Sequence, residues 1–125
     1  MITPIYAAIF GLFFIFLSIR VIKLRANNHI ALGDDQLPEL TRAMRVHGNF
    51  AEYVPFALLL MFFLETQTSH FLFIHFLGLT LLAGRLIHAH GVSQANEVIQ
   101  LRKIGMVLSF TVIISSAIRI LLSYF

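Results

Sequence analysis

Long apolar segments alternate with short polar ones along the whole chain. Four of the apolar segments have the roughly 20 residues that an α-helix needs to cross about 30 Å of hydrocarbon. The pattern predicts membrane-spanning helices at about 4–22, 38–66, 71–88 and 104–125. The second is longer than a bilayer requires, so its first turns should project beyond the lipid. We therefore predict a single all-α domain over residues 1–125, an integral membrane four-helix bundle with up-down topology.

Three polar connections separate these helices. Residues 23–36 form the only long one, and Pro38 with Glu39 marks the start of the helix that follows it. A short link spans 67–70, and a third connection covers 91–100. Because no basic stretch precedes the first apolar segment, we interpret that segment as a retained helix rather than a cleaved signal peptide.

The composition agrees with a lipid environment. Apolar residues make up 58 % of the chain, charged residues make up 12 %, and the mean hydropathy is +0.86. A domain this small still exposes much of its surface, so a soluble protein could not carry so many apolar side chains. These values exclude a soluble enzyme and a disordered chain, and the absence of cysteine excludes a disulfide scaffold.

The basic residues predict the orientation in the membrane. Eight of the nine lysines and arginines flank the first and third connections: Arg20, Lys23, Arg25, Arg42, Arg45, Arg85, Arg102 and Lys103. By the positive-inside rule those two connections face the cytoplasm, and both termini face away from it. These residues form no continuous basic face, so nucleic acid is not expected as a partner.

The second predicted helix carries a stripe of polar side chains. At 100° per residue, an arc of about 80° contains Arg42, Arg45, Asn49 and Glu52. Ionisable groups at this depth are costly unless they are paired or hydrated, which favours a functional site that faces the bundle interior. The alternative is structural, with Arg45 and Glu52 paired across helices and Asn49 joining helices by hydrogen bonds. The pattern alone leaves both interpretations open.

The stripe belongs to a longer motif. The pattern Arg45-x3-Asn49-x2-Glu52-Tyr53-x-Pro55 resembles the signature of the MAPEG family, the membrane-associated proteins in eicosanoid and glutathione metabolism. The segments Arg-x-His-Gly-Asn-x-x-Glu-Tyr at 45–53 and Leu-Leu-Ala-Gly-Arg-Leu-Ile-His at 81–88 are most similar to a bacterial inner-membrane subgroup. The resemblance covers the whole chain, and it implies a homotrimer of four-helix subunits in the inner membrane.

The resemblance also implies which residues bind glutathione. In the family, the motif arginine, asparagine and glutamate bind it between neighbouring subunits, which implies this role for Arg45, Asn49 and Glu52. Tyr53 matches a tyrosine that often accompanies them, and Arg25 resembles a first-loop arginine that contacts a carboxylate of the peptide. These residue types suit the ligand, because arginines bind its two carboxylates and a glutamate binds its ammonium group.

Further implied site residues come from the third and fourth helices. The family's catalytic arginine lies at the start of the fourth helix and holds the glutathione thiolate. Arg102 is the candidate for this role, and Lys103 is its rival. Arg85 matches an arginine that supports the ligand in relatives. His88 stands where family members often have a tyrosine, and Val92 replaces a second tyrosine.

The implied function is that of a membrane glutathione transferase or peroxidase, with glutathione as co-substrate. Membrane lipid around the site would deliver an apolar electrophile or a lipid hydroperoxide to the thiolate. The alternatives are a non-enzymatic protein that binds a lipid or another ligand, and a purely structural trimer. No metal is expected, since neither His70 with His75 nor His88 with His90 has the i, i+4 spacing of a helical zinc site.

Overall fold

The computed structural model describes residues 1–67 and 70–125, and these ranges contain four α-helices. They are α1 (Thr3–Asn28), α2 (Pro38–Gln67), α3 (Phe71–Ser93) and α4 (Ile99–Leu122). Each is long and apolar enough to cross a membrane, which confirms the all-α class and the four predicted spans. Thr68 and Ser69, within the predicted link at 67–70, lie outside the described residues.

Three helices extend further than the hydropathy pattern predicts. α1 continues from 22 to Asn28, α3 continues from 88 to Ser93, and α4 begins at Ile99 rather than at 104. Apolar length reports only the part of a helix that lies in hydrocarbon. In α1 and α4 the flanking turns contain lysine, arginine or glutamine, which have good helix propensity, so these helices continue past the apolar segments. The last turn of α3 contains none of these residues and instead packs on α4, where a Cβ on Gly91 would lie 2.8 Å from Leu101 Cβ. The predicted connections at 23–36 and 91–100 are therefore too long.

The end of α1 is set by its cap and not by loss of hydrophobicity. His29 adopts the left-handed conformation, with φ of 56°. The amides of His29 and Ile30 donate to the carbonyl oxygens of Ala26 and Arg25, at 3.4 and 3.0 Å. This pair of bonds is a Schellman motif, and the buried Ile30 side chain supplies the apolar contact that usually accompanies it.

The closest helix contact lies between α3 and α4. A Cβ built on Gly105 would lie 2.6 Å from the carbonyl oxygen of Gly84 and 2.8 Å from the amide nitrogen of His88. Small residues at a helix interface allow the backbones to approach closely, and at this point there is no room for a Cβ on Gly105. α2 packs against all three other helices, whereas α1 contacts only α2 and α3 within the described residues.

The core of the bundle is apolar, and so is much of its outer surface. Leu17 of α1, Val54 and Met61 of α2, and Leu81 of α3 are buried. Large apolar side chains such as Leu12 are exposed on the outside. In water such a surface would promote aggregation, whereas in a bilayer it contacts lipid chains that are as apolar as itself.

One end of the bundle carries both chain termini, and we call it the terminal end. The Glu65 carboxylate accepts hydrogen bonds from the backbone amides of Ile2 and Thr3, the latter at 2.8 Å, and so satisfies free donors at the start of α1. Arg119 is exposed and forms no ion pair with Glu65. The opposite end, with the connections 29–37 and 94–98, is the loop end.

Candidate functional site

A small polar crevice opens at the loop end, between α2, α3 and α4. Arg45, Asn49, His88, Val92 and Arg102 line it, and they come from three helices. It encloses only about 10 Å³, which is room for a single water-sized group. A peptide could therefore reach these side chains by lying across the mouth of the crevice, but it could not enter it.

Arg85 lies directly behind the crevice and is 2 % exposed. Its Nη1 donates to Asn49 Oδ1 at 2.7 Å, and its Nη2 donates to the carbonyl oxygen of Gly105 at 3.1 Å. Met106 Sδ lies 3.6 Å from Nη2. Arg85 Nε has no hydrogen-bond partner among the described residues. One guanidinium from α3 thus joins α2 to α4 through neutral acceptors.

Arg102 is an accessible cation of the crevice, with 48 % of its side chain exposed. Its Nη1 forms an ion pair with Glu97 Oε1 at 2.9 Å. Lys103 does not line the crevice; it lies on a neighbouring surface groove together with Arg102, Met106 and Phe110. Of the two candidates at the start of α4, Arg102 lines the crevice and Lys103 does not.

Comparison with known proteins assigns the chain to a family. The family model described as the MAPEG family matches residues 3–122. The chain belongs to the MAPEG family. It is also 40 % identical over 91 residues to the inner membrane protein YecN of Escherichia coli K12, an alignment that covers 73 % of this chain and 70 % of the relative. YecN of Escherichia coli O6:H1 matches with the same identity and coverage. No solved structure matches the chain.

The MAPEG motif residues divide into two groups in the folded chain. Arg45 and Asn49 line the crevice, together with the predicted His88 and Arg102. Glu52 is exposed on the outer face of α2, outside the crevice. Tyr53 is half-buried and packs on Phe110 of α4, with ring centroids 5.5 Å apart.

Arg25 also lies apart from the crevice within a single chain. Its Nη1 donates to the carbonyl oxygen of Gly33 at 2.7 Å, and Met44 Sδ lies 3.4 Å from its Nη2. The same loop is ordered by Asp34, whose carboxylate accepts from the Thr41 hydroxyl at 2.5 Å. Hydrogen bonds from Thr41 and from the amide of residue 36 hold the pKa of Asp34 below its usual value.

The expectation that the polar stripe of α2 faces the bundle interior was wrong. The buried face of α2 is apolar: Leu40, Ala43, Val46, Phe50, Val54, Ala57, Met61 and Leu64. Arg45 and Glu52 are exposed, and Asn49 lies at the boundary. Burying the apolar face gains free energy, whereas burying two charged side chains without partners would cost several kcal/mol. Asn49 reaches inward as far as Arg85, which donates a hydrogen bond to its Oδ1.

Sequence reasoning missed three groups that surround the predicted residues. Glu97 pairs with the arginine implied as catalytic, and it is the only acid in the connection 94–98, which could have indicated it. The backbone carbonyl of Gly105 and the sulfur of Met106 give no signal in sequence. They accept from Arg85 only because α3 and α4 approach so closely.

Proposed function

We propose that the chain is an inner-membrane protein that binds glutathione at the loop end and acts as a glutathione transferase or peroxidase. The observation that carries this proposal is the crevice in which Arg45, Asn49, His88 and Arg102 meet. Membership of the MAPEG family and similarity to an inner membrane protein support the chemistry and the location.

The residues around the crevice suit the functional groups of glutathione. At neutral pH the tripeptide carries two carboxylates and one ammonium group. Arginine side chains bind carboxylates through charge-assisted, often bidentate hydrogen bonds, and Arg45 is exposed and available for this role. Glu52, two turns further along the same face of α2, would bind the ammonium group.

Arg102 would hold the thiol sulfur as its anion. A guanidinium beside a thiol favours the deprotonated form, and each tenfold gain in thiolate corresponds to about 1.4 kcal/mol. In the transferase reaction the thiolate attacks an electrophilic carbon, forms the S–C bond and expels the leaving group with its electron pair. In the peroxidase reaction two glutathione molecules give up two electrons and become a disulfide, while the hydroperoxide becomes an alcohol and water.

The separation of the motif residues favours a site between subunits of a homotrimer. Arg25 and Glu52 lie outside the crevice of a single chain, and the crevice is too small for a tripeptide. A neighbouring copy that covers the exposed polar face of α2 could bring its own Arg25 to the mouth of the crevice. Surrounding membrane lipid would then supply an apolar electrophile as the second substrate.

Calorimetry on the detergent-solubilised protein tests this function. We expect glutathione to bind, and we expect Arg45→Ala to weaken binding about 10-fold or more, because a charge-assisted contact is lost. Arg119→Ala, which removes an exposed arginine at the terminal end, is the matched control and should bind like the wild type. Absence of binding to the wild-type protein would refute the glutathione site.

A non-enzymatic binding protein is the second candidate, and the composition of the crevice favours it. His88 and Val92 stand in the crevice at positions where the family resemblance implies tyrosines, so the site would lack two hydroxyl groups. Arg102→Ala separates the candidates when thiolate absorbance is followed with binding. An enzyme should lose the thiolate signal in this variant, whereas a binding protein should show no thiolate in the wild type and unchanged affinity in the variant.

A further inference from the structure

The environment of Arg85 is unusual for a buried charge. Its guanidinium contacts the oxygen of Asn49, the carbonyl of Gly105 and the sulfur of Met106, all of them neutral groups. Throughout residues 1–67 and 70–125, no carboxylate lies within ion-pair distance of it. Buried cations without a counter-charge are costly, so a buried arginine that is held only by hydrogen bonds to two neighbouring helices needs an explanation.

The contact with Asn49 fixes the orientation of an amide. A guanidinium has donors only, so the group of Asn49 that faces Arg85 must be its oxygen, 2.7 Å from Nη1. The amide nitrogen Nδ2 is the other arm of the same planar group and points away from Arg85. Because Asn49 lines the crevice and Nδ2 forms no hydrogen bond with another described residue, its N–H donors are available to a ligand there.

We propose that Arg85 is a positioning residue, which holds the Asn49 amide so that Nδ2 donates to a carboxylate of the ligand at the mouth of the crevice. The nature of the ligand rests on the proposed glutathione site, whereas the orientation of the amide does not. Arg85 does not bind the ligand itself. Its guanidinium is buried behind Asn49, and two of its nitrogens are already engaged.

The charges around the crevice agree with this assignment. Arg45, Arg85 and Arg102 bring three positive charges to one small site, and Glu97 on the exposed side pairs only with Arg102. A ligand carboxylate would be attracted by the excess positive charge and would find an oriented neutral donor in Asn49. The positive charge of Arg85 would thus act on the ligand through the amide that it holds.

Side-chain amide NMR tests the orientation directly. The chain has only four asparagines, so protein labelled with ¹⁵N at asparagine gives few signals, and Asn49→Ala identifies those of Asn49. We expect Arg85→Met to shift the Asn49 side-chain signals while those of Asn27, Asn28 and Asn96 stay in place. Arg85→Lys, which keeps the charge but cannot bond both acceptors in the fork geometry, is the second variant if Arg85→Met does not fold.

Binding measurements test what the oriented amide does. We expect Asn49→Asp to weaken glutathione binding more than Asn49→Ala does, because the new carboxylate would keep the bond to Arg85 but present an acceptor to the ligand. We expect Arg85→Lys to weaken binding of glutathione about 10-fold and to change little the binding of its diethyl ester, whose carboxylates are masked. A purely structural role would reduce both affinities equally.

The outcomes separate this inference from the proposed function. Unchanged Asn49 signals in both Arg85 variants would overturn the positioning role, and so would an Asn49→Asp variant that binds glutathione as tightly as the wild type. If the wild-type protein binds no glutathione, the proposed function and the ligand named here both fail. The Asn49 signals would still decide whether Arg85 orients the amide.

Discussion

At the scale of single residues, the protein separates exposed cations from a buried one. Arg45 and Arg102 are accessible to a ligand, whereas Arg85 donates hydrogen bonds to Asn49 and to the backbone of α4. Sequence could not distinguish these roles, because all three are arginines near the loop end of a predicted helix. Their roles differ because only Arg85 lies on a helix face that is covered by two neighbours.

The ion pair between Glu97 and Arg102 gives a prediction at this scale. Glu97→Gln should free Arg102 for the glutathione sulfur, so we expect a stronger thiolate signal and tighter binding by about 2- to 5-fold, as for an exposed ion pair. The measurement is thiolate absorbance with calorimetry at low ionic strength. Asp35→Asn makes the same change in net charge in an exposed loop and should leave both values unaltered, and equal effects of the two variants would contradict the prediction.

At the scale of elements, the contact between α3 and α4 builds the site. Gly84 and Gly105 let the two backbones approach closely, and this brings the carbonyl of Gly105 within reach of Arg85. The hydropathy pattern predicted where both helices cross the membrane, but α4 begins at Ile99, earlier than the pattern predicts. The turn that carries Arg102 proved to be helical because polar residues of good helix propensity continue the helix beyond the lipid.

Gly105→Ala tests the importance of this contact. An added Cβ would lie 2.6 Å from the Gly84 carbonyl oxygen, so the helices must separate. We expect a loss of about 1–3 kcal/mol in stability, as for other overpacked sites, and weaker glutathione binding. Thermal unfolding in detergent measures the first effect and calorimetry the second.

Gly11→Ala is the matched control for that variant. A Cβ on Gly11 would meet nothing within 4 Å, so α1 should keep its stability or gain up to about 1 kcal/mol from helix propensity. Equal destabilisation by the two substitutions would show that the α3–α4 contact has no special role.

At the scale of the whole molecule, a single chain does not bring all of the motif residues together. Arg25 is bound to the first connection, Glu52 is exposed, and α1 and α4 do not touch within the described residues. In a closed assembly of identical subunits, every interface joins the same two surface patches. A contact that completes one site would therefore complete all of them. The homotrimer therefore remains a prediction that the separation of these residues favours.

Subunit mixing tests a site that is shared between chains. Arg25→Ala and Arg45→Ala proteins should each bind glutathione poorly. If each site takes Arg25 from one subunit and Arg45 from its neighbour, trimers assembled from an equal mixture should recover about a quarter of the sites. Calorimetry on the mixed assembly, with its mass determined in detergent, measures the recovery. No recovery from a mixed trimer would locate both arginines of a site on one chain.

The sequence by itself determined the lipid environment, the four helices and the MAPEG motif, because these depend on the composition and order of residues within single segments. Tertiary structure alone decided that Asn49 faces inward while Glu52 does not, that Arg102 lines the crevice and Lys103 does not, and that Arg85 lies behind them. These outcomes depend on how closely α3 and α4 approach and on which face each helix turns to its neighbours. The periodicity of a single helix gives the angles between its side chains, but it does not specify what packs against them.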